Sequence, residues 1–257
     1  MTSEFQVPQV TLSSVGKTYG GNPPVLQQID LTIAKGEFVS LIGPSGCGKS
    51  TLLKLISGLT NATSGSILVD GMTPVNARET ISYIFQDATL LPWRTVTSNV
   101  GLGLELEHVS REIRKEKVQS LLELVGLTHV ALAYPRQLSG GMKMRVSVAR
   151  ALATKPRLLL MDEPFGALDE MTRDRLNEEL LRLKTEQNWT AVFVTHSVAE
   201  AVFLSTRVIV LAPSPGRIAQ EIAINLPFPR TSATRESAQF EFLVTQVSRA
   251  LRGVHAA

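Results

Sequence analysis

The stretch that most constrains this chain runs from Phe38 to Thr51, Phe-Val-Ser-Leu-Ile-Gly-Pro-Ser-Gly-Cys-Gly-Lys-Ser-Thr. A short apolar run ends at a glycine, and an apolar pattern with helical spacing, Leu52-Leu53-Lys54-Leu55-Ile56, follows the last glycine. Gly43, Gly48, Lys49 and Ser50 satisfy G-x-x-x-x-G-K-[ST], the P-loop pattern. Glycines let backbone N–H groups turn inward around a phosphate with no Cβ in the way. The helix that starts near Lys49 adds unpaired N–H groups and the positive end of its dipole. The loop of Gly43, Pro44, Ser45, Gly46, Cys47, Gly48, Lys49, Ser50 and Thr51 is therefore the expected cradle for a triphosphate. Lys49 would reach its outer phosphates, and the Ser50 hydroxyl would ligate Mg²⁺.

The remaining pattern supplies a scaffold for that loop. Val10 and Leu12, then Ile29, Leu31 and Ile33, alternate with polar residues as half-buried antiparallel strands do. Short strands are expected at residues 63–71, with an Asp-Gly turn, and at 81–85, ending at Gln86. From about 87 to 156 the character is helical. One helix covers 111–125, with Ile113, Val118, Leu121, Leu122 and Val125 on one face and Gly126 as its stop. The run Leu158–Met161 suits a buried parallel strand. A helix at about 168–186, strands at 190–195 and 208–211, a turn at 213–216 and a helix at about 234–252 complete the chain. Alternating strands and helices imply a mostly parallel sheet covered on both faces.

Two strand ends carry chemistry. The run at 158–161 ends in Asp162-Glu163-Pro164. A strand end beside the P-loop would let Asp162 hold Mg²⁺ and let Glu163 orient or deprotonate a water beyond the last phosphate. Alone, the same acids would suit a helix N-terminus. His196, after the next strand, can donate to a phosphate, although a lone histidine is usually structural. Ser139, Gly140 and Gly141 open a helical segment and offer a hydroxyl and bare N–H groups, a second anion site. A second phosphate site in a chain with one P-loop requires a reason.

Composition excludes several classes. The chain has 257 residues, 44% of them hydrophobic and 19% charged, which describes a globular protein with a sizeable core. A net charge of +3 gives no argument for nucleic acid. The single cysteine, Cys47, excludes an internal disulfide. Placed just before a helix N-terminus, its thiol is expected to have a lowered pKa and to react with thiol reagents. The N-terminus Met1-Thr-Ser-Glu-Phe-Gln shows no secretory signal, and no apolar stretch is long enough to span a bilayer.

With Leu138-Ser-Gly-Gly-Met142 between the P-loop and Asp162-Glu163, the sequence resembles the nucleotide-binding subunit of ATP-binding cassette (ABC) transporters over residues 8–230. The resemblance implies a RecA-like P-loop NTPase core of α/β class, an antiparallel β subdomain and an inserted helical subdomain at about 87–156. Residues 231–257 would form a helical tail. It also implies ATP and Mg²⁺ as ligands, with Tyr19 stacking on adenine and Gln86 touching Mg²⁺ and the water. In that family His196 matches the switch histidine, and Gly166-Ala-Leu-Asp169 matches a loop that crosses a dimer interface. Ser139, Gly140 and Gly141 would complete the ATP site of a second, head-to-tail subunit. Met142 departs from the commoner Gln and leaves Ser139 intact.

A finer likeness is to importer ATPases for nitrate, sulfonates and taurine, carried by residues 86–96, 215–218 and 226–230. It implies a homodimer of ATPase subunits on the cytoplasmic side of the inner membrane, attached through a permease. A solute-binding protein would be an indirect partner, and nucleic acid none. The apolar run Leu90-Leu91-Pro92-Trp93 would then line the groove that receives a permease helix, or else pack in the core. The rival readings are another ABC importer or exporter, a soluble non-transport ABC ATPase, and a P-loop kinase, which has no use for Leu138–Gly141.

Overall fold

A computed structural model describes residues 7–255. The N-terminal segment discussed above and the last residues of the 231–257 tail lie outside the described residues. Two sheets organise the chain. The first is antiparallel, with β1 (Val10–Lys17) between β2 (Leu26–Ile33) and β4 (Ser64–Val69). β4 closes on Asp70-Gly71, both in the left-handed region, and the turn is bridged by mutual Val69–Met72 backbone bonds.

The second sheet holds β3 (Phe38–Ile42), β5 (Ile81–Ile84), β6 (Leu158–Asp162), β7 (Thr190–Val194), β8 (Arg207–Ala212) and β9 (Arg217–Ala223), in the order β5-β6-β7-β3-β8-β9. All neighbours are parallel except β8 and β9. β3, β6 and β7 are buried along their whole length, as strands covered on both faces must be. Their side chains alternate between two cores. Phe38, Leu159, Ala191 and Phe193 enter one, while Val39, Leu41, Leu160 and Val192 enter the other.

The second of these cores is closed by α1 (Lys49–Ile56) and the antiparallel sheet. The first is covered by α6 (Glu170–Gln187), α7 (Val198–Leu204) and α9 (Ala238–His255). Between β5 and β6 lie α2 (Val96–Val100), α3 (Leu102–Leu106), α4 (Arg111–Leu124) and α5 (Gly140–Ala153). Their buried residues, such as Val100, Val118, Leu122 and Val146, belong to the same continuous cluster as the sheet residues. No helix among the described residues is long and apolar enough to cross a membrane.

Two expectations change, and one strand carries no sequence signal. Ile113 is half exposed, because it sits in the first turn of α4, where its N–H bonds to the Ser110 cap. The C-terminal helix is split into α8 (Ser232–Arg235) and α9, because Ser237 takes the Phe240 N–H at 3.2 Å and caps a new start. β9 is an edge strand with a mostly exposed face, so its sequence carries no buried period. Beyond β9, the buried Arg230 donates to the carbonyls of Val202, Phe203 and Ser205 at the end of α7, and to Leu226 O.

Candidate functional site

Parallel strands end at one edge of the sheet, where ligands of open α/β folds bind. β3 ends at Gly43, β5 leads to Gln86, β6 ends at Asp162-Glu163 and β7 leads to His196. A cleft of about 330 Å³ at this edge is lined by Ser45, Gly46, Gly48, Lys49, Ser50, Thr51, Gln86, Glu163, His196 and Val25. Most were marked by sequence pattern; Val25 was not, and only the chain's return past the P-loop brings it there.

The loop's shape is set by its own backbone. Gly48 has φ 97°, and a Cβ there would lie 2.5 Å from Leu26 Cδ2, so glycine is required twice over. Gly48 also precedes α1 without any side-chain cap, and the first turn holds no acid. The first-turn N–H groups are thus left for an anion. Lys49, almost wholly buried, donates from Nζ to Gly43 O at 2.8 Å and Pro44 O at 2.9 Å, which seats its ammonium inside the loop.

Cys47 overturns the reactivity expectation. Its thiol is buried, and burial pushes its pKa up; the nearby Lys49 charge opposes that shift without reversing it. The contribution of Cys47 to the loop is its backbone and its packing.

Ser50 Oγ donates to Asp162 Oδ1 at 2.9 Å. The far oxygen, Oδ2, takes a long contact from Tyr83 OH at 3.4 Å. Burial raises the Asp162 carboxyl above its ordinary range and the neighbouring Glu163 adds to the shift, while the Ser50 hydrogen bond opposes it. Burial, with the Asp162 charge, likewise pushes the Tyr83 phenol well up. A hydroxyl and a carboxylate oxygen side by side are hard donors that suit Mg²⁺, which takes few protein ligands and completes its shell with water and phosphate. Among the described residues no cluster of three or more His, Cys, Asp or Glu forms a cage for another metal. The donor set therefore fits magnesium.

Glu163 stands just past the strand in the left-handed region, with φ 50°, a conformation that costs a non-glycine residue energy and is often found at working sites. Its N–H is held by Val194 O at 3.0 Å. His196 Nε2 lies 2.6 Å from Glu163 Oε1, and Gln86 Nε2 approaches Oε2 at 3.5 Å. Three residues named from separate strand ends thus meet on one carboxylate.

Other sequence-marked residues lie elsewhere. Ser139, Gly140 and Gly141 are not among the residues lining this cleft. They open α5, where Ser139 Oγ caps the helix by accepting from Met142 N at 3.3 Å, and Ser139 and Gly140 are exposed. Tyr19 is not part of the lining either; the residue is 42% exposed, with Lys17 Nζ 4.5 Å from the ring centroid. Asp169 caps α6 through Thr172 N. Trp93 is 71% exposed and outside the core, while Leu90 and Leu91 are half-buried.

Comparison with known proteins agrees with this geometry. The family model described as ABC transporter matches residues 26–166. An aliphatic sulfonates import ATP-binding protein of Bacillus cereus is 43% identical over 233 residues, 90% of this chain and 91% of that protein. An uncharacterized ABC transporter ATP-binding protein of Methanocaldococcus jannaschii is 44% identical over 229 residues, 89% of this chain and 86% of that one. A solved ATP-binding cassette, dimeric in a post-hydrolysis state with ADP and Pi, matches 85% of this chain and all of its own, with TM-score 0.79 and 35% identity. A P-loop on β3, an acid pair on β6 and a histidine after β7 thus stand in a chain matched along most of its length by these proteins, and the chain belongs to the ABC transporter family as an ATP-binding subunit that hydrolyses ATP.

Proposed function

We propose that this subunit powers an importer for a small anionic solute, of the nitrate, sulfonate or taurine kind, by hydrolysing ATP at composite sites in a homodimer. The observation that carries the catalytic part is the meeting of Gln86 and His196 on Glu163 at the mouth of the P-loop cleft. Glu163 would accept the proton of the attacking water, and His196 would donate its one N–H to that carboxylate in the nucleotide-free site and to the last phosphate once ATP is bound. Lys49 and the first-turn N–H groups would hold the phosphates. Ser50, Asp162 and Gln86 would hold Mg²⁺, which when bound would offset the charge that develops on the phosphates. Tyr19, partly exposed, would stack on the adenine.

The exposed Ser139-led start of α5, away from its own chain's cleft, supports a composite site: a second copy would present it to the nucleotide opposite. The solute class rests on the sulfonate-import relative and the permease on the import role in that relative's name; a place on the cytoplasmic face of the inner membrane is proposed with them.

Glu163→Gln tests the reading. ATP binding should persist while turnover falls by roughly 10²–10⁴-fold, the worth of a positioned base. Uptake of labelled taurine, alkanesulfonate or nitrate in cells carrying the cognate permease should fall in step for one of the three. Normal hydrolysis in the variant would remove Glu163 from its role, and unchanged uptake of all three would reject the solute class.

A further inference from the structure

Behind the Glu163–His196 contact lies a second, smaller cavity of about 140 Å³, walled in part by Glu163, Gly166, Thr195, His196, Arg173 and Glu200. Glu200 is a buried acid in the first turns of α7, and no sequence pattern singled it out. One of its oxygens accepts from the Thr195 hydroxyl. That hydroxyl accepts from Ser197 N at 3.0 Å, and Ser197 Oγ accepts from Glu200 N at 3.3 Å. Both neighbours of His196 are therefore tied to Glu200.

The other oxygen of Glu200 faces Arg173 Nε at 3.4 Å, close enough for an ion pair though not aligned as a hydrogen bond. Arg173 in turn donates from its terminal nitrogen to Leu168 O at 2.8 Å. Leu168 belongs to the turn that leaves Glu163, in which Gly166 N reaches Glu163 O at 3.3 Å. Glu200 and Arg173 thus span the gap between the loop after β6 and the loop after β7.

We propose that Glu200 and Arg173 are positioning residues: together they form a strut that sets the distance between Glu163 and His196. The proposal rests on the catalytic reading of Glu163 and His196 given above. An ion pair between a buried acid and a half-exposed arginine contributes little net stability, so stability alone does not account for a charged link at this place. A link between the two loops does.

Among the described residues no hydrogen bond or ion pair of Glu200 or Arg173 reaches the P-loop, so loss of the strut should act on turnover and spare nucleotide binding. Glu200→Gln keeps the shape and the Thr195 contact but removes the charge facing Arg173. Arg173→Lys keeps the charge and removes the fork that also reaches Leu168; its half-exposed position lets it be made even if Glu200→Gln fails to fold. Each should lower kcat for ATP hydrolysis by about 10- to 100-fold, as misplacement of a reacting group does, with KM for ATP changed less than about twofold. In a His196→Ala background Glu200→Gln should add little, because its target is already gone.

Wild-type kcat in Arg173→Lys, or in a folded Glu200→Gln, overturns the strut. So does a fall of the same size in the His196→Ala background. Wild-type hydrolysis by His196→Ala itself would instead defeat the catalytic reading on which the strut depends.

Discussion

The loop after β3 and the loop after β5 lead to the same edge of the sheet, yet they are held by different means. The P-loop holds itself: Lys49 bonds to Gly43 O and Pro44 O, and Cys47 N to Pro44 O, all within a few residues. The second loop, from Gln86 to Thr95, is held mainly from outside. Asn99, wholly buried on α2, accepts from Leu91 N and donates to Leu91 O, Arg94 O and Thr95 O. Arg150, on α5 and 62 positions beyond Ala88, holds Ala88 O and Thr89 O. A loop that carries its own ties stays put when its neighbours move. A loop tied to helices moves with them, and this one begins at a residue touching Glu163.

The largest effect expected on this contrast comes from an outside contact that the P-loop does have. The turn before β9 brings Gly216 so close that a Cβ there would lie 2.1 Å from Cys47 O and 2.9 Å from Val25 O. Gly216→Ala should cost up to about 3 kcal/mol by overpacking and weaken ATP binding at least tenfold; denaturant unfolding and nucleotide titration measure both. Normal ATP affinity in that variant would sharpen the contrast by showing the P-loop independent of its support. Asn99→Ala comes next. Leaving Leu91 N without its acceptor should cost about 1–2 kcal/mol, with ATP affinity intact and coupling to the permease reduced. Equal loss of ATP affinity would break the distinction between the loops. Trp93→Ala should be the mildest in the isolated protein, within about 0.5 kcal/mol for an exposed side chain, with unchanged basal hydrolysis and lost permease association. A clear fall in thermal midpoint would show that Trp93 supports its own loop.

That contrast also explains what was legible in the sequence. The P-loop, the acid pair after β6 and the fully buried strands are local patterns, in which neighbouring residues fix each other's surroundings. Val25, Tyr83 and the Arg173–Glu200 pair matter through partners far away in the chain, and Asn99 through a nearby loop whose irregular path no spacing rule marks. Cys47 was misread for the same reason: the helix start that lowers a thiol pKa is visible in sequence, whereas the packing that raises it is tertiary. β9 was missed because an edge strand whose apolar contacts come only from Ile218 and Ile222 looks like loop. The break at Ser237 was in principle readable, since a serine ahead of an apolar helical period is an N-cap signal.

Arg230 bears on how force can travel through the region behind His196. Its guanidinium grips the carbonyls that α7 leaves free at its end, while the Ser197 hydroxyl caps the beginning. Burial lowers the pKa of Arg230 to about 10, still well above neutral pH, so the grip does not lapse under ordinary conditions. With both ends fastened, α7 acts as a short stiff rod instead of a helix that frays. The rod runs from the Ser197 cap beside His196 to Arg230 and the segment leading into α8 and α9. The tail lies directly against this rod, with the Arg235 guanidinium 3.7 Å from the centre of the Phe203 ring, so one short helix joins the loop that carries His196 to the last helices of the chain.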